Sequence, residues 1–344
     1  MSDSFTEFQL IEHFFGSLPK NVNPYMPNVS KDNFLGIGDD CALFNDYTNQ
    51  NNSSWAISKD LLLEGRHFFR DTDPYNLGHK SLAVNLSDLA AMGAVPCFFL
   101  LGIGLPKVNK NWLEKFTQGI LDIASQHKCL LIGGDTTKSN HDINISVTVI
   151  GKVDTKSALK RSNAKIGDDI WITGTLGDAR LALGNILGEW ILPDSIFNIV
   201  NQKLELPTPR VNLGQSLLGI ANAAIDISDG LIGDLKHILK QSCVNAEIYI
   251  NNIPRSNSLL QQNISIQNIC VLSGGDDYEL CFTAPNTKFS NILELSEKFN
   301  IPITCIGKII QKTNDLDRVI NFIEQGKIIE LDVEKFKGFE HFST

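Results

Sequence analysis

Acidic residues recur in this chain beside glycines or inside apolar runs, a pattern suited to holding divalent cations. The plainest case is Leu82–Gly93, LAVNLSDLAAMG. Ala83, Val84, Leu86, Leu89, Ala90 and Met92 give it an apolar face over nearly three helical turns. Asp88 is its only charge, and Asn85, three residues earlier, shares that side of the helix. A carboxylate in so apolar a helix must find a partner. A salt bridge or a cap on a neighbouring helix would provide one. Gly38-Asp39-Asp40, Asp60, Gly133-Gly134-Asp135 and the pair Asp226 and Asp229 repeat the association on separate elements, which favours convergence on metal ions.

Other residues leave two readings open. The glycines of Gly36-Ile37-Gly38-Asp39-Asp40 permit a tight turn that sets carboxylates at a strand edge, or an Asx-turn with a solvated acid. His67, next to Arg66, suits a phosphate contact or ordinary packing. Thr136 and Thr137 could donate to phosphate. Lys160-Arg161 reads as a solvated linker pair. Ser228 or Asp229 is expected to cap the helix Leu231–Gln241. Ser273–Leu280 is another glycine-acid turn, and the aromatic cluster Phe336–Phe342 could close over a planar ligand. Gly174–Gly177 lacks the GxxxxGK[ST] phosphate loop and the GxGxxG fingerprint.

The elements that must carry these residues follow from periodicity. Helices are expected at Phe5–Leu18, within Pro74–Gly93, at Trp112–His127, Asp178–Leu187, in the middle of Pro193–Pro209, at Gly214–Asn222 and at Leu231–Gln241. Strands are expected at Trp55–Ser58, ended by Lys59-Asp60, at Cys97–Leu105 (buried), and at Leu130–Ile132, ended by the glycine pair. Others are expected at Ile143–Gly151, Ile170–Thr173, Ala223–Asp226, Ala246–Ile250, Cys281–Thr283, Ile303–Ile310 and Ile328–Leu331. The 344 residues suggest two α/β domains, with a boundary in Asp154–Lys165, giving 1–155 and 156–344. Apolar content of 42% and charged content of 20% are those of a soluble protein. A net charge of −9 argues against nucleic acid, while bound metals could still recruit phosphate. Seven cysteines without a CxxC pair read as thiols of a reducing compartment. The start, MSDSFTEF, has no basic-then-apolar pattern, and no run is long enough to span a bilayer, so a cytoplasmic protein is expected.

GIGDDCAL, LAVNLSDLAAMGA, LIGGDTT, AIDISDGL, LSGGDDYELCFT and KGFEHF occur in one order from Phe5 to Phe342. This ordered set resembles the thiamine-monophosphate kinases, of the ATP-binding superfamily that includes aminoimidazole ribonucleotide synthetase. The resemblance implies that fold, with an N-terminal mixed-sheet α/β domain that dimerises and a C-terminal α/β domain. It implies transfer of the γ-phosphoryl of ATP to thiamine phosphate, with several Mg2+ ions, in a homodimer without nucleic-acid or membrane partners. By motif position, Asp39, Ser58, Asp60, Asp88, Asp135, Asp226 and Asp229 match magnesium ligands. Among them Asp39, Asp60, Asp88 and Asp226 stand closest to the chemistry. Arg161, Ser228 and Gly134 match nucleotide contacts. His67, Asp276 and Phe339 match substrate contacts.

Two positions depart from the family pattern. Ser58-Lys59-Asp60 stands where Ser-Thr-Asp is common, so Lys59 either faces solvent and keeps only a backbone carbonyl for metal or faces the cleft and supplies charge where a metal normally sits. Strand alternation places Ser58 and Asp60 on the ligand side and Lys59 on the other. Asp276 stands where Glu is usual, one methylene shorter, and a water could then bridge it to substrate. A relative of the aminoimidazole ribonucleotide synthetase type is the competing enzyme reading, and a non-catalytic nucleotide sensor is the competing class. A selenophosphate synthetase is disfavoured because no Cys precedes Cys41.

Overall fold

The structure is a computed structural model that describes residues 34–45, 53–312 and 319–329, with Gln9, Ile11 and His13. The expected helix Phe5–Leu18, apart from those three residues, and the cluster Phe336–Phe342 with Phe339 lie outside the described residues.

Two sheets organise the chain. The first holds β1 (Phe34–Leu35), β2 (Ala42–Asn45), β3 (Ser53–Leu63), β4 (Val95–Leu105), β5 (Leu130–Lys138) and β6 (Asn144–Asp154), in the order β1-β2-β3-β6-β4-β5. Only β4 and β5 run parallel, and the other neighbours are antiparallel. The second holds β7 (Asp169–Thr173), β8 (Ala223–Asp226), β9 (Asn245–Tyr249), β10 (Leu280–Ala284), β11 (Ile303–Ile310), β12 (Ile320–Glu324) and β13 (Lys327–Ile329), in the order β13-β12-β9-β11-β7-β10-β8. In it only β12 and β9 are parallel.

Between the sheets runs α1 (Pro74–Ala91). It starts where the Asp73 side chain accepts the N–H groups of Tyr75 and Asn76, and proline at the first helical position needs no donor partner. Leu77, Leu82, Leu86, Leu89 and Ala90 bury it nearly all round, as a helix covered on every side requires. It packs on α2 (Lys110–Gln126) with unusually close backbones. A Cβ on Gly78 would come within 2.1 Å of the Phe116 carbonyl oxygen, and one on Gly119 within 1.9 Å of that of Tyr75.

Strand alternation divides the core. Trp171, Ala224, Leu280 and Phe282 join a core that continues into Ile145, Val147 and Val149 of the first sheet. Ile170, Ile172, Ala223, Ile225 and Cys281 face a second core. That core is covered by α3 (Asp178–Ile186), α4 (Asp194–Glu205), α6 (Leu231–Ser242) and α8 (Ile264–Ser273). α5 (Val211–Ser216), α7 (Asn257–Leu260) and α9 (Phe289–Phe299) complete the described helices of more than one turn.

Several expectations change. β3 does not end at Lys59-Asp60 but pairs with β6 through Leu63. β5 does not stop at its glycine pair, because Gly133, Gly134 and Asp135 stay in register with β4. β4 is only partly buried within Cys97–Leu105: Phe99, Ile103, Gly104 and Leu105 are buried and the other five residues half-buried. The run Gly214–Asn222 is helical only to Ser216, the helix having begun at Val211. α7, α8, α9 and β12 are not among the expected elements, although Phe289, Ile292, Leu295 and Phe299 give α9 a clear helical spacing.

Candidate active site

Three carboxylates from three separate elements meet between the sheets. Oxygens of Asp40, Asp88 and Asp226 lie within 4.8 Å of one another. Asp40 follows the glycine turn before β2, Asp88 lies on α1, and Asp226 ends β8. Neighbouring hydroxyls aim two of them. Ser58 Oγ donates to Asp88 Oδ2 at 2.5 Å, and Ser87 Oγ donates to Asp226 Oδ2 at 2.6 Å. Asn85 Oδ1 accepts the Asp60 N–H at 3.1 Å, which holds β3 against the same stretch of α1. Neither Asp88 nor Asp226 has an ion pair among the described residues, so a salt bridge does not account for Asp88.

The electrostatics demand a cation. Burial lifts Asp88 well above the usual carboxylate range, and the charges of Asp60, Asp226 and Asp40 add to the rise against the Ser58 hydrogen bond. Burial, then Asp40, raises Asp226 to about 8, opposed by Ser87 and Arg161. Carboxylates this close ionise together only when positive charge joins them. An all-oxygen, anionic donor set suits a hard divalent ion such as Mg2+, so the residues present fit the expected metal.

The glycine turn adds a residue that the motif comparison did not name: Asp40, next to Asp39, completes the three-carboxylate group. The Asp39 carboxylate accepts the Arg161 N–H, at 3.2 Å to Oδ2, and the Asp40 N–H at 3.1 Å. Burial, then Asp40, raises its pKa to about 7. Arg161 is not a solvated linker residue. Its guanidinium reaches both Asp40 oxygens, at 2.7 and 3.1 Å, in a buried bidentate pair. Burial opposes the guanidinium charge, but the Asp40 and Asp39 carboxylates outweigh it and raise the Arg161 pKa.

The expected cap is also absent. Gly230 occupies the N-cap of α6 with no side-chain bond. Instead, buried Asp234 accepts three backbone N–H groups on one oxygen, from Ser228 and Asp229 at 3.1 Å and Gly230 at 3.0 Å. This pins the loop that carries Ser228 and Asp229. The available signal was an acid in the first turn after Asp229-Gly230.

Beside the carboxylates opens a cleft of about 1120 Å³. Asp60, Asp88, Asp226, Ser228 and Asp229 line it, together with His67 and Asp276. His67 Nδ1 accepts the Leu63 N–H at 3.0 Å. Asp276 meets Lys80 at 3.3 Å and the Tyr278 hydroxyl at 2.9 Å. The sequence reading singled out neither Lys80 nor Tyr278. Lys59 donates to Ser146 on the face of β3 opposite Ser58 and Asp60. Gly134 and Asp135 are not brought to the three carboxylates. They sit exposed on β5, three strand spacings from β3, or about 14 Å.

The family profile for AIR synthase related protein, N-terminal domain, matches residues 38–153. The thiamine-monophosphate kinase of Haemophilus influenzae is 43% identical over 310 residues, 90% of this chain and 92% of that one. That of Salmonella typhimurium is 39% identical over 340 residues, 98% of each chain. Among solved structures, thiamine-monophosphate kinase from Stenotrophomonas maltophilia superimposes with a TM-score of 0.75 at 38% identity, over 87% of this chain and 94% of that one. AaThiL complexed with AMPPCP and TMP superimposes with a TM-score of 0.77 at 28% identity, over 98% and 97%.

Proposed function

The chain belongs to the thiamine-monophosphate kinase family, and on that premise we infer that its cleft joins ATP to thiamine phosphate, yielding thiamine diphosphate and ADP. The observation that carries the reading is the meeting of Asp40, Asp88 and Asp226, the last two on the wall of a cleft large enough for both substrates.

Donor and acceptor are both anionic, and the chain is acidic. Mg2+, when bound, supplies neutralising charge and alignment of the transferring phosphoryl group. Asp40, Asp88 and Asp226 would hold it, with Ser58, Asp60 and Asp229 beside them and the Lys59 carbonyl on the same strand. Arg161 keeps Asp40 turned inward, and Asp234 keeps the Ser228–Gly230 loop in place. The attacking phosphate oxygen is already ionised near neutral pH, so no strong base is needed. Transfer is direct and in line, with no phosphoenzyme. Ser228 and Arg161 serve the nucleotide, and His67 and Asp276 the acceptor.

The functional unit is a homodimer. Leu130, Leu131 and Ile132 are 61%, 40% and 50% exposed on the open edge strand β5, which favours pairing with a second copy. Gly134 and Asp135 on that strand would then meet nucleotide and metal at the paired edge. Residues 1–155 and 156–344 form the two domains. The protein works in the cytoplasm. All seven cysteines are free thiols, and no helix among the described residues is long and apolar enough to cross a membrane.

The test is ADP formation from ATP and Mg2+ by the purified protein. ADP should form only with thiamine phosphate present. Turnover with the aminoimidazole ribonucleotide synthetase substrate instead would assign the chain to that activity, and nucleotide binding without turnover would make it a sensor.

A further inference from the structure

Along α1, Leu77, Lys80, Val84 and Asp88 form the stripe that lines the cleft. Lys80 and Asp88 are eight residues apart, about 12 Å along the axis. That distance accommodates a two-ring acceptor whose phosphate lies at the Asp88 end and whose outer ring lies at the Lys80 end.

At the Lys80 end, both contacts to Asp276 fall on the same atom. The Lys80 ammonium approaches Oδ1 at 3.3 Å, and the Tyr278 hydroxyl donates to Oδ1 at 2.9 Å. Asp276 Oδ2 has no hydrogen-bond or ion-pair partner among the described residues. The Lys80 side chain is 9% exposed and that of Asp276 32%, so the ammonium is sealed in the wall while the carboxylate meets the cleft. The backbone is fixed as well. Asp276 and Tyr278 have φ values of 64° and 49°, in the left-handed region. Their N–H groups donate to the carbonyls of Ser228 and Ile227 at 2.9 and 2.8 Å. A Cβ on Gly275 would lie 2.2 Å from the Ser228 carbonyl oxygen, so this contact requires glycine. The loop that carries Asp276 is thus locked to the loop that follows Asp226.

We propose that Lys80 and Tyr278 are positioning residues that hold Asp276 Oδ1 and turn Oδ2 toward the exocyclic amine of the aminopyrimidine ring of thiamine phosphate. The proposal rests on the function inferred above. A carboxylate oxygen accepts from an amine, whereas an oxo group at the same ring position would set two acceptors against each other. The pair therefore determines which ring the cleft admits. Because Asp276 is short, its aim depends on these two neighbours.

The test uses the full chain, steady-state kinetics, and oxythiamine phosphate, which carries an oxo group in place of the amine. Wild type should favour thiamine phosphate over the oxo analogue by about tenfold or more in kcat/KM, the scale of a lost hydrogen bond to a charged group. Lys80→Met and Tyr278→Phe should each raise KM for thiamine phosphate by about tenfold, leave KM for ATP unchanged and erode that discrimination. Lys80→Arg should restore part of it. Tyr278→Phe keeps the ring and removes one hydroxyl, so it reports even if Lys80→Met folds poorly. Unchanged KM for thiamine phosphate in Tyr278→Phe, a parallel rise in KM for ATP, or equal use of both analogues by wild type would overturn the proposal while the kinase assignment stands. Absence of thiamine phosphate turnover by wild type would overturn both.

Discussion

Ser87 Oγ donates to Asp226 Oδ2 across 2.6 Å, and through this contact α1 is tied to β8 of the second sheet. The next residue, Asp88, takes its own hydrogen bond from Ser58 of the first sheet. One turn of α1 therefore sets the separation of carboxylates from both halves of the molecule.

Asp88→Asn should nearly abolish turnover at ordinary magnesium concentrations while the protein stays folded. Asp88 is half-buried among like charges, and its pKa is raised well above the usual value. Removing that charge should leave the Tm in EDTA unchanged or higher. Near-normal turnover would remove Asp88 from the metal site, and loss of folding would favour a structural role.

The raised carboxyl groups predict a pH dependence with a definite sign. Asp226 is raised to about 8 and Asp39 to about 7, in each case first by burial. From about pH 4 upward the unfolded chain has lost these protons while the metal-free folded chain retains them. Stability of the metal-free protein should fall across the interval from about pH 4 to about pH 8. Magnesium binding near pH 7 should release protons. Calorimetry in buffers of different ionisation enthalpy would reveal this, and a buffer-independent heat would contradict it.

Arg161→Met should destabilise the fold by about 3–5 kcal/mol, because it strands a buried carboxylate at Asp40. Urea unfolding would measure the loss. A change below about 1 kcal/mol would mean that the pair behaves as an exposed one.

Sedimentation of the 38.0 kDa chain at micromolar concentration should show a dimer. Ile132→Lys should shift it to monomer, since it places a charge on the apolar edge of β5. A wild-type monomer with full activity would refute the assembly.

Lys59→Thr should leave the magnesium requirement of turnover within about threefold, less than ~1 kcal/mol. Lys59 is occupied with Ser146, away from the three carboxylates. A fall of about tenfold in that requirement would show an ammonium competing with metal.

The sequence by itself determined where charge had to be explained. Asp88 and Asp226 stand out because an acid among Ala, Ile and Leu has no cheap solvent partner, and α1, β7 and β11 follow from periodicity. Local pattern also put Lys59 opposite Ser58 and Asp60, since strand alternation is a property of the backbone alone. The tertiary structure decided how the members of a pair divide their contacts. Asp39 and Asp40 are chemically identical and adjacent, and the distant Arg161 gives its backbone N–H to Asp39 and its guanidinium fork to Asp40. Asp234 lies in a run that reads as an ordinary helix start, until three N–H groups converge on it. Lys80 reads as one polar residue on an apolar helix, and Asp276 meets it only because β10 and β8 lie side by side. The extension of β5 through two glycines likewise came from pairing with β4, whose ladder hydrogen bonds outweigh the weak strand propensity of glycine. Local chemistry nominates residues, whereas contacts between segments far apart in the chain select among them.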